Sequence, residues 1–296
     1  MTGRGRLAIG TALVAVLLGG AALTQLGSDA DPDARPARSA GIQEPLVDPS
    51  ADATGPVPTY TPPDPGNRPG PESTGTLSDD LSQHDAGTFR QDGMVLQDVV
   101  ITGDVRLTGA NQTLRNVRVQ GQVRVTGSGV VIEDSELGSL VLSGASAFTG
   151  RGLEIFGNPG DDGIHISSDT GPVQDVVIED SWLHSPALNP DSHYDGIQVR
   201  GVQGLVLRNL FLDLGPFDER HATAVFLQDA NGGNSGVLIE NSWIDGGAFA
   251  LNLSGTDITV RGNVFGPNAE YGLLYPTEQQ LTLDGNILDT GAPADL

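Results

Sequence analysis

The chain has 296 residues, a formal net charge of −23 and no cysteine or lysine. The absence of cysteine excludes disulfides and thiolate chemistry. The negative charge argues against nucleic acid or an anionic membrane surface as a partner. It would also oppose an anionic polysaccharide unless a cation bridged the two. With 41 glycines and only 5% aromatic residues, the composition favours short strands and tight turns over a helical bundle.

The first 28 residues have the pattern of an export signal. Arg4 and Arg6 precede an apolar run, Leu7–Leu26, and acidic residues follow it. The run is long enough to span a bilayer, while Ser28–Ala30 is a fair cleavage site of small residues. The pattern predicts either a cleaved signal peptide or a retained single-span anchor. In both cases the rest of the chain is expected to be extracellular or at the cell surface.

Residues 29–76 are rich in proline, aspartate, alanine, glycine and threonine. Such a segment cannot bury enough apolar area to order itself. We therefore predict three regions: a signal peptide or anchor over 1–28, a disordered Pro/Asp-rich linker over 29–76, and a folded domain over 77–296.

One phrase recurs from Val95 onward: an apolar residue, a polar residue, a marker residue and a further apolar strand, as in Leu114–Val119. The markers are Asp98, Asn116, Asp134, Gly152, Asp180, Asn209, Asn241, Gly262 and Gly285. A spacing of 18 residues at first, and of 21 to 32 later, predicts a solenoid. Because Asn, Asp and Gly accept left-handed turns, the markers are interpreted as a structural ladder.

One 18-residue step contains three short strands, Val105–Leu107, Thr113–Leu114 and Val117–Val119, and no segment of helical period. Three strands per turn, each pairing with its copy on the next turn, predict an all-β fold. The predicted fold is a single-stranded parallel β-helix of about nine turns. We take it as right-handed, which is the common form.

Extra residues enter at one point of the repeat on three consecutive turns. The insertions are Phe156–Asp162, His184–Asp195 and Gly215–Ala222. Insertions at one point of a coil stack on one edge, and such an edge is often the binding face. Strand alignment predicts one outward column beside them: Arg106, Arg124, Val141, His165, Gln198, Phe226, Asn252 and Leu274, with Tyr271 and Tyr275 on a later turn.

Two near-copies of an Asp-Gly-Ile phrase lie in this region, at Asp161–Ile166 and His193–Val199. On neighbouring turns they would place Asp162 beside Asp195, within roughly 5 to 6 Å at the usual strand spacing. Like charges that close raise one pKa, which gives an acid and a base, and glycoside cleavage uses such a pair. The structural alternative is that each Asp-Gly only begins its strand.

The candidate residues follow from this arrangement. The catalytic candidates are Asp162, Asp195, His165, His193, His221, Arg200 and Arg220, with the histidines as proton carriers. The substrate-binding candidates are Gln198, Asn252, Tyr194 and Tyr271. No cofactor is evidently required. As an alternative, Asp161, Asp162 and Asp195 could hold Ca²⁺, which prefers oxygen ligands and would also recruit an anionic sugar.

The coil and its Asp-Gly-Ile phrases resemble the pectate-lyase-like superfamily of right-handed parallel β-helices, over roughly residues 92–291. His193–Gln198 resembles the His-x-Asp-Gly-Ile-Gln phrase of many exported bacterial members. Asp161–Ile164 is similar to a strand start of polygalacturonases, but the other motifs of those enzymes are absent. For an elimination of the pectate-lyase type, which uses an arginine base, the resemblance implies Arg200 or Arg220.

These observations predict an exported or surface-tethered protein that acts on a polysaccharide, as a glycoside hydrolase or lyase. Its partner is then a glycan. The alternative is a non-catalytic protein that binds glycans or serves as a structural element of the cell envelope.

Overall fold

The computed structural model describes residues 67–296, which are built from β-strands without an α-helix. The predicted signal peptide or anchor and most of the predicted linker lie outside the described residues. Within 67–296 there is no helix with the length and apolarity to cross a membrane. The boundaries of the three predicted regions remain predictions.

The strands wind into a parallel coil. They are β1 Ser82–His84, β2 Gly87–Phe89, β3 Val95–Ile101, β4 Val105–Leu107, β5 Thr113–Val125, β6 Val131–Glu133, β7 Glu136–Ser143, β8 Ser146–Arg151, β9 Glu154–Ile155, β10 Ile164–Ser167, β11 Gln174–His184, β12 Tyr194–Arg200, β13 Val202–Asp213, β14 His221–Leu227, β15 Asn234–Glu240, β16 Trp243–Asp245, β17 Phe249–Leu253, β18 Thr256–Arg261, β19 Val264–Phe265, β20 Gly272–Leu274, β21 Leu281–Asp284 and β22 Ile287–Leu288. Each pairs in parallel with a strand one turn away, as predicted for a β-helix.

The pairings form three sheets, one for each of the three predicted strands per turn. The site sheet runs through β2, β4, the second half of β5, the second half of β7, then β10, β12, β14, β17 and β20. The other two sheets share long strands such as β11 and β13, which bend from one sheet into the next. The turn count of about nine stays a prediction.

The bends lie at the marker residues. Every marker has a positive φ, from 48° at Asn209 to 63° at Gly152. Neighbouring markers are also joined directly, since Asn116 Nδ2 donates to Asp98 Oδ1 at 2.6 Å. The structural interpretation of the marker ladder is therefore confirmed.

The inward residues of the three sheets fill the coil with aliphatic side chains. In β10, Ile164 and Ile166 are fully buried while His165 between them is half-buried and faces outward. In β12, Ile197 and Val199 are buried around Gln198 in the same way. Alternation along each strand therefore decides which polar side chains reach the outer face of the site sheet.

Loops 156–163, 185–193 and 214–220 connect the sheet before them to the site sheet, and we call them the insertion loops. The first lies against the second: a Cβ at Gly157 would be 2.7 Å from the backbone N of Ala187, and one at Gly160 would be 3.2 Å from Asn189 Nδ2. The second meets the third, because Tyr194 N donates to Arg220 O at 2.8 Å. The insertion loops form a wall along one edge of the site sheet.

Residues 67–80 run along the coil away from the site sheet, and we call them the strap. Its Arg68 guanidinium lies 4.4 Å from the ring centroid of Phe211. Further on, Gly75 N donates to Gly152 O at 3.0 Å and Leu77 N donates to Asn116 Oδ1 at 2.7 Å. The described part of the predicted linker, residues 67–76, is thus in contact with the coil.

Candidate active site

A cleft of about 770 Å³ lies where the site sheet meets the first two insertion loops. We call it the site cleft. The sheet contributes the floor, and residues 160–162 and 189–193 contribute one side. Of the sequence candidates, Asp161, Asp162, His165, His193 and Gln198 line it.

The two Asp-Gly-Ile phrases lie on adjacent turns, as their similarity predicts. Ile164 pairs with Ile197 and His165 with Gln198. Asp162 Oδ1 accepts the backbone N–H of Asp195 at 3.0 Å. The glycine after each aspartate is required by close contact between turns, since a Cβ at Gly163 would lie 2.6 Å from Gly196 O.

His165 is held by Asp162 within the cleft. Its Nδ1 lies 3.0 Å from Asp162 Oδ2. An ionised carboxylate can only accept, so the neutral ring carries its proton on Nδ1 and leaves Nε2 as a free acceptor. The side chain of His165 is 25% exposed and that of Asp162 is 13% exposed. His165 can therefore act as a base of fixed orientation. The Asp162 carboxylate would stabilise the imidazolium that forms when His165 takes up a proton.

Asp195 lies beneath the cleft and not on its surface. It is fully buried, and its Oδ1 has no hydrogen-bond partner among the described residues. Burial, and secondly the charge of Asp162, raise the pKa of Asp195 to about 8, while the backbone and hydroxyl of Thr223 act in the opposite direction. The Asp195 carboxyl is therefore mostly protonated at neutral pH.

The three aspartates do not form a shared cation site. Asp161 Oδ2 accepts from Gln122, Ser139 and Asn158. Asp162 contacts His165 through one oxygen and accepts the backbone N–H of Asp195 with the other, and the Asp195 side chain is buried. Within the described part of the chain there is no cluster of three or more acidic or histidine side chains arranged to bind a metal. The geometry does not fit the Ca²⁺ alternative.

His221 and Tyr194 are inside the coil wall. Their Cα atoms are partners on adjacent turns, with ring centroids 6.1 Å apart. The register between the two strands shifts just after this pair, and His221 alternates in step with the buried Val225 and Leu227 of β14. Both ring nitrogens of His221 are buried without a partner among the described residues, and burial lowers its pKa. Burial, followed by the charges of Asp162 and Asp195, raises the pKa of Tyr194.

The two arginine candidates are paired with carboxylates. Arg200 NH1 lies 3.2 Å from Asp169 Oδ2, at one end of the cleft. Arg220 forms two bonds with Asp218, at 2.7 and 2.6 Å, within the third insertion loop. Arg220 holds the pKa of Asp218 below its usual range. Neither arginine lines the site cleft.

Asn252 and Tyr271 lie further along the site sheet. Phe226 pairs with Asn252, and the next turn pairs Leu251 with Leu274. Leu274 therefore faces the core side and Tyr275 takes the outward place, so the predicted last member of the column was wrong by one residue. Phe217, Phe249, Tyr271 and Tyr275 form an aromatic cluster there, with centroids 5.1 to 6.0 Å apart.

Three lining residues that the sequence did not single out as site residues are Gln122, Arg124 and Asp169. Arg124 was placed correctly on the outward column, where Val141 separates it from His165. Its position in the column was the available signal. Gln122 lies two residues before Arg124 in β5 and so shares its face, whereas Asp169 enters the cleft from the segment after β10 and carries no comparable sequence signal.

No protein-family model and no curated protein sequence matches the chain. Among solved structures it is similar to an alginate lyase from Paenibacillus sp., with a TM-score of 0.52, 18% identity, and coverage of 71% of this chain and 89% of that one. It also matches the Streptococcus pneumoniae surface protein and adhesin PfbA, with a TM-score of 0.48, 12% identity, and coverage of 74% and 82%. The first similarity confirms the predicted right-handed parallel β-helix fold.

Proposed function

We propose that this chain cleaves a polysaccharide by proton transfer in the site cleft, as a hydrolase or a lyase. The observation that carries the proposal is the Asp162–His165 pair, which is half-buried in the cleft with His165 Nε2 free to act. The alginate lyase with the same fold makes a glycan substrate a reasonable expectation. The predicted export signal adds that the reaction takes place outside the cytoplasm.

His165 is the proposed base. Its Nε2 would take a proton either from an attacking water or from the sugar carbon next to an acidic group. Asp162 would keep the ring oriented and stabilise the imidazolium that forms. His193, exposed on the side of the cleft that residues 189–193 form, is the proposed acid that returns a proton to the leaving oxygen.

Asp195 keeps an indirect role in the proposal. It does not line the cleft, and it acts on the site through its contact with Asp162. Its raised pKa keeps the Asp195 carboxyl mostly protonated at neutral pH, so that Asp195 adds little negative charge beneath His165. We leave Tyr194, His221, Arg200 and Arg220 outside the proposed catalytic set, because of their burial or their carboxylate partners.

The test is turnover by the full chain and by His165→Ala on a panel of plant, algal and bacterial polysaccharides. Reducing ends report hydrolysis as well as elimination, and ultraviolet absorbance of the unsaturated product reports elimination only. We expect His165→Ala to lower kcat about 100-fold or more, the usual contribution of a general base. His84→Ala is the matched control, because His84 lies on the first turn outside the cleft lining. Equal rates for wild type and His165→Ala would refute the role of His165.

The aromatic cluster supports a second candidate, glycan binding without cleavage. Tyr271 and Tyr275 are 65% and 47% exposed, and aromatic faces are suited to stacking on sugars. This candidate predicts binding on a glycan array that Tyr275→Ala weakens, with no product from any bound glycan. Product formation that depends on His165 would favour the first candidate instead.

A further inference from the structure

The turns that follow the site sheet alternate between long and short along the second half of the coil. The long turns are 168–173, 228–233 and 275–280, and each leads into a strand of the next sheet. Between them lie two short turns, which are Gly201 alone and then residues 254–255. Each short turn leaves a gap between two long ones. We call these gaps the first notch and the second notch.

The two notches are cavities of about 280 and 420 Å³ that share one wall. Gln203, Gly232 and Gly233 line both of them. The short turns at Gly201 and at 254–255 lie two strand steps apart, because β12 pairs with β14 and β14 pairs with β17. At the usual strand spacing, the notches therefore repeat at about 10 Å along the coil.

Hydrogen bonds between turns fix the shape of both notches. Across the first notch, Ser168 Oγ donates to Asn231 O at 3.3 Å. In the second notch, the buried Asn234 donates through Nδ2 to Gln228 O and to Ser254 O, in each case at 3.0 Å. A ligand would therefore meet a site that is already formed, which lowers the cost of binding.

The notches are lined by polar side chains that are almost all uncharged. Asp229 is the only charged side chain in either lining. A Cβ at Gly232 or Gly233 would meet no atom within 4 Å, so the backbone of these glycines is open to a ligand. The lining side chains without a hydrogen-bond partner among the described residues include those of Gln203, Ser235, Ser254, Thr256 and Gln279.

We infer that the two notches bind a neutral glycan along this edge of the coil, outside the site cleft. Free amides, hydroxyls and backbone groups can pair with the hydroxyl groups of sugars, whereas the net charge of −23 disfavours an acidic ligand. The repeat of about 10 Å suits two units of an extended hexose chain. Ser168 lines the first notch and Asp169 lines the cleft, so one turn separates the two sites. The inference goes beyond the proposed function, because binding here requires no cleavage.

A polypeptide fits the two notches less well than a glycan. Two residues of an extended strand advance by only about 6.6 Å, which does not match the repeat. A polyproline helix advances by about 9 Å per turn, but its recognition relies on aromatic side chains. No aromatic residue lines either notch.

The test is calorimetric titration of the full chain carrying His165→Ala, which removes the proposed base and so prevents turnover during the titration. The probes are neutral oligosaccharides of increasing length from a β-glucan, a β-mannan and chitin, with a polyuronate and a proline-rich peptide for comparison. We expect one neutral series to bind with little dependence on salt. Its affinity should rise once the ligand is long enough to reach both notches.

Gln203→Ala should weaken this binding about tenfold, because Gln203 lines both notches. Gln174→Ala is the matched control, since Gln174 is the exposed Cα partner of Gln203 on the preceding turn and lines neither notch. Thr256→Trp fills the second notch from an exposed position and should remove the gain shown by longer ligands. Thermal melting checks that each variant is folded.

Three results would overturn the inference: no binding of any neutral series, an unchanged affinity in folded Gln203→Ala, or Gln203-dependent binding of the polyuronate or the peptide in place of a neutral glycan. Gln203-dependent binding, with no product from any glycan when His165 is intact, would support the inference and count against the proposed cleavage. His165-dependent product, with binding that Gln203→Ala leaves unchanged, would do the reverse.

Discussion

The carboxylate of Asp162 accepts the backbone N–H of Asp195 at 3.0 Å, so a side chain of one turn is fixed by the main chain of the next. The same carboxylate holds His165 through its other oxygen. The two aspartates are thereby placed in different environments, one at the cleft and one fully buried. Two equivalent residues in the sequence are no longer chemically equivalent in the fold.

Asp195→Asn should flatten the pH dependence of stability. The pKa of Asp195 is raised from 3.8 to about 8, so between these values the folded state binds a proton that the unfolded state has lost. The free energy of unfolding of the wild type should therefore fall as pH rises through this window, by up to ~1.4 kcal/mol per unit. Asparagine has no such ionisation and resembles the neutral carboxyl in shape.

The measurement is urea unfolding of wild type and Asp195→Asn at several pH values between roughly 5 and 8, where the raised carboxyl titrates. The difference between the two proteins removes the contribution of other titrating groups. Parallel stability curves for the two proteins would mean that Asp195 is ionised in the fold, contrary to its burial.

His221→Phe should stabilise the coil. His221 is 5% exposed and leaves two ring nitrogens without partners among the described residues, next to the ring of Tyr194. Replacing an unsatisfied buried polar ring with an apolar ring of similar size is expected to add about 1 to 2 kcal/mol to the free energy of unfolding. Burial lowers the pKa of His221, so the wild type should also lose stability as pH falls below 6.5, and the variant should lack that loss.

Thermal melting at a neutral and a mildly acidic pH checks both effects. His221→Ala serves as the comparison, because it removes the polar ring but leaves a cavity and should destabilise. A large loss of stability in the phenylalanine variant at neutral pH would indicate that the ring nitrogens of His221 are satisfied in solution.

The repeat was predictable because its signals are local. A residue type that accepts the left-handed conformation recurs at every bend, from Asp98 to Gly285, and each of these residues has a positive φ. Alternation within a strand decides inside from outside, so His165 and Gln198 were correctly placed as neighbours on the outer face. Both properties depend on a few consecutive residues and need no knowledge of distant contacts.

The errors arose at strand ends, where the sequence does not show which residue begins the alternation. His221 is the first residue of β14 and not the end of the insertion before it, and it alternates in step with the buried Val225, so the histidine predicted to be exposed is buried. In β20 two leucines are adjacent, so alternation does not reveal which faces the core, and the outward place falls to Tyr275. A slip of one residue in a strand reverses its faces. Which arginines lack a carboxylate likewise depends on contacts between turns and is invisible in a linear pattern.

Asn209 offers a direct test of the marker ladder. Its φ is 48°, and its Nδ2 donates to Asp180 Oδ1 at 2.6 Å. Asn209→Ala loses this hydrogen bond. It also forces alanine into the left-handed backbone conformation, where no side-chain hydrogen bond offsets the steric cost. We expect a loss of about 1 to 2 kcal/mol in the free energy of unfolding. Asn209→Gly loses the bond but not the conformation and should lose less. If the alanine and glycine variants lose the same free energy of unfolding, backbone conformation does not determine the residue type at the markers.

Arg68→Ala tests whether the strap contributes to the stability of the coil. The Arg68 guanidinium lies 4.4 Å from the ring centroid of Phe211 and 5.1 Å from that of Trp243, which are partners on adjacent turns. A cation over two aromatic faces should contribute about 1 kcal/mol. We therefore expect a melting temperature lower by about 2 to 4 °C and a change in tryptophan fluorescence.

Arg90→Ala is the control for Arg68, because Arg90 is exposed and has no carboxylate partner among the described residues. Arg68→Lys should keep part of the effect, since lysine retains the charge but not the planar group that stacks on a ring. The two aromatic rings pack against each other with centroids 6.3 Å apart, so their own contact survives the loss of Arg68. A melting temperature equal to that of Arg90→Ala would therefore show that the strap is not held to the coil at this point in solution.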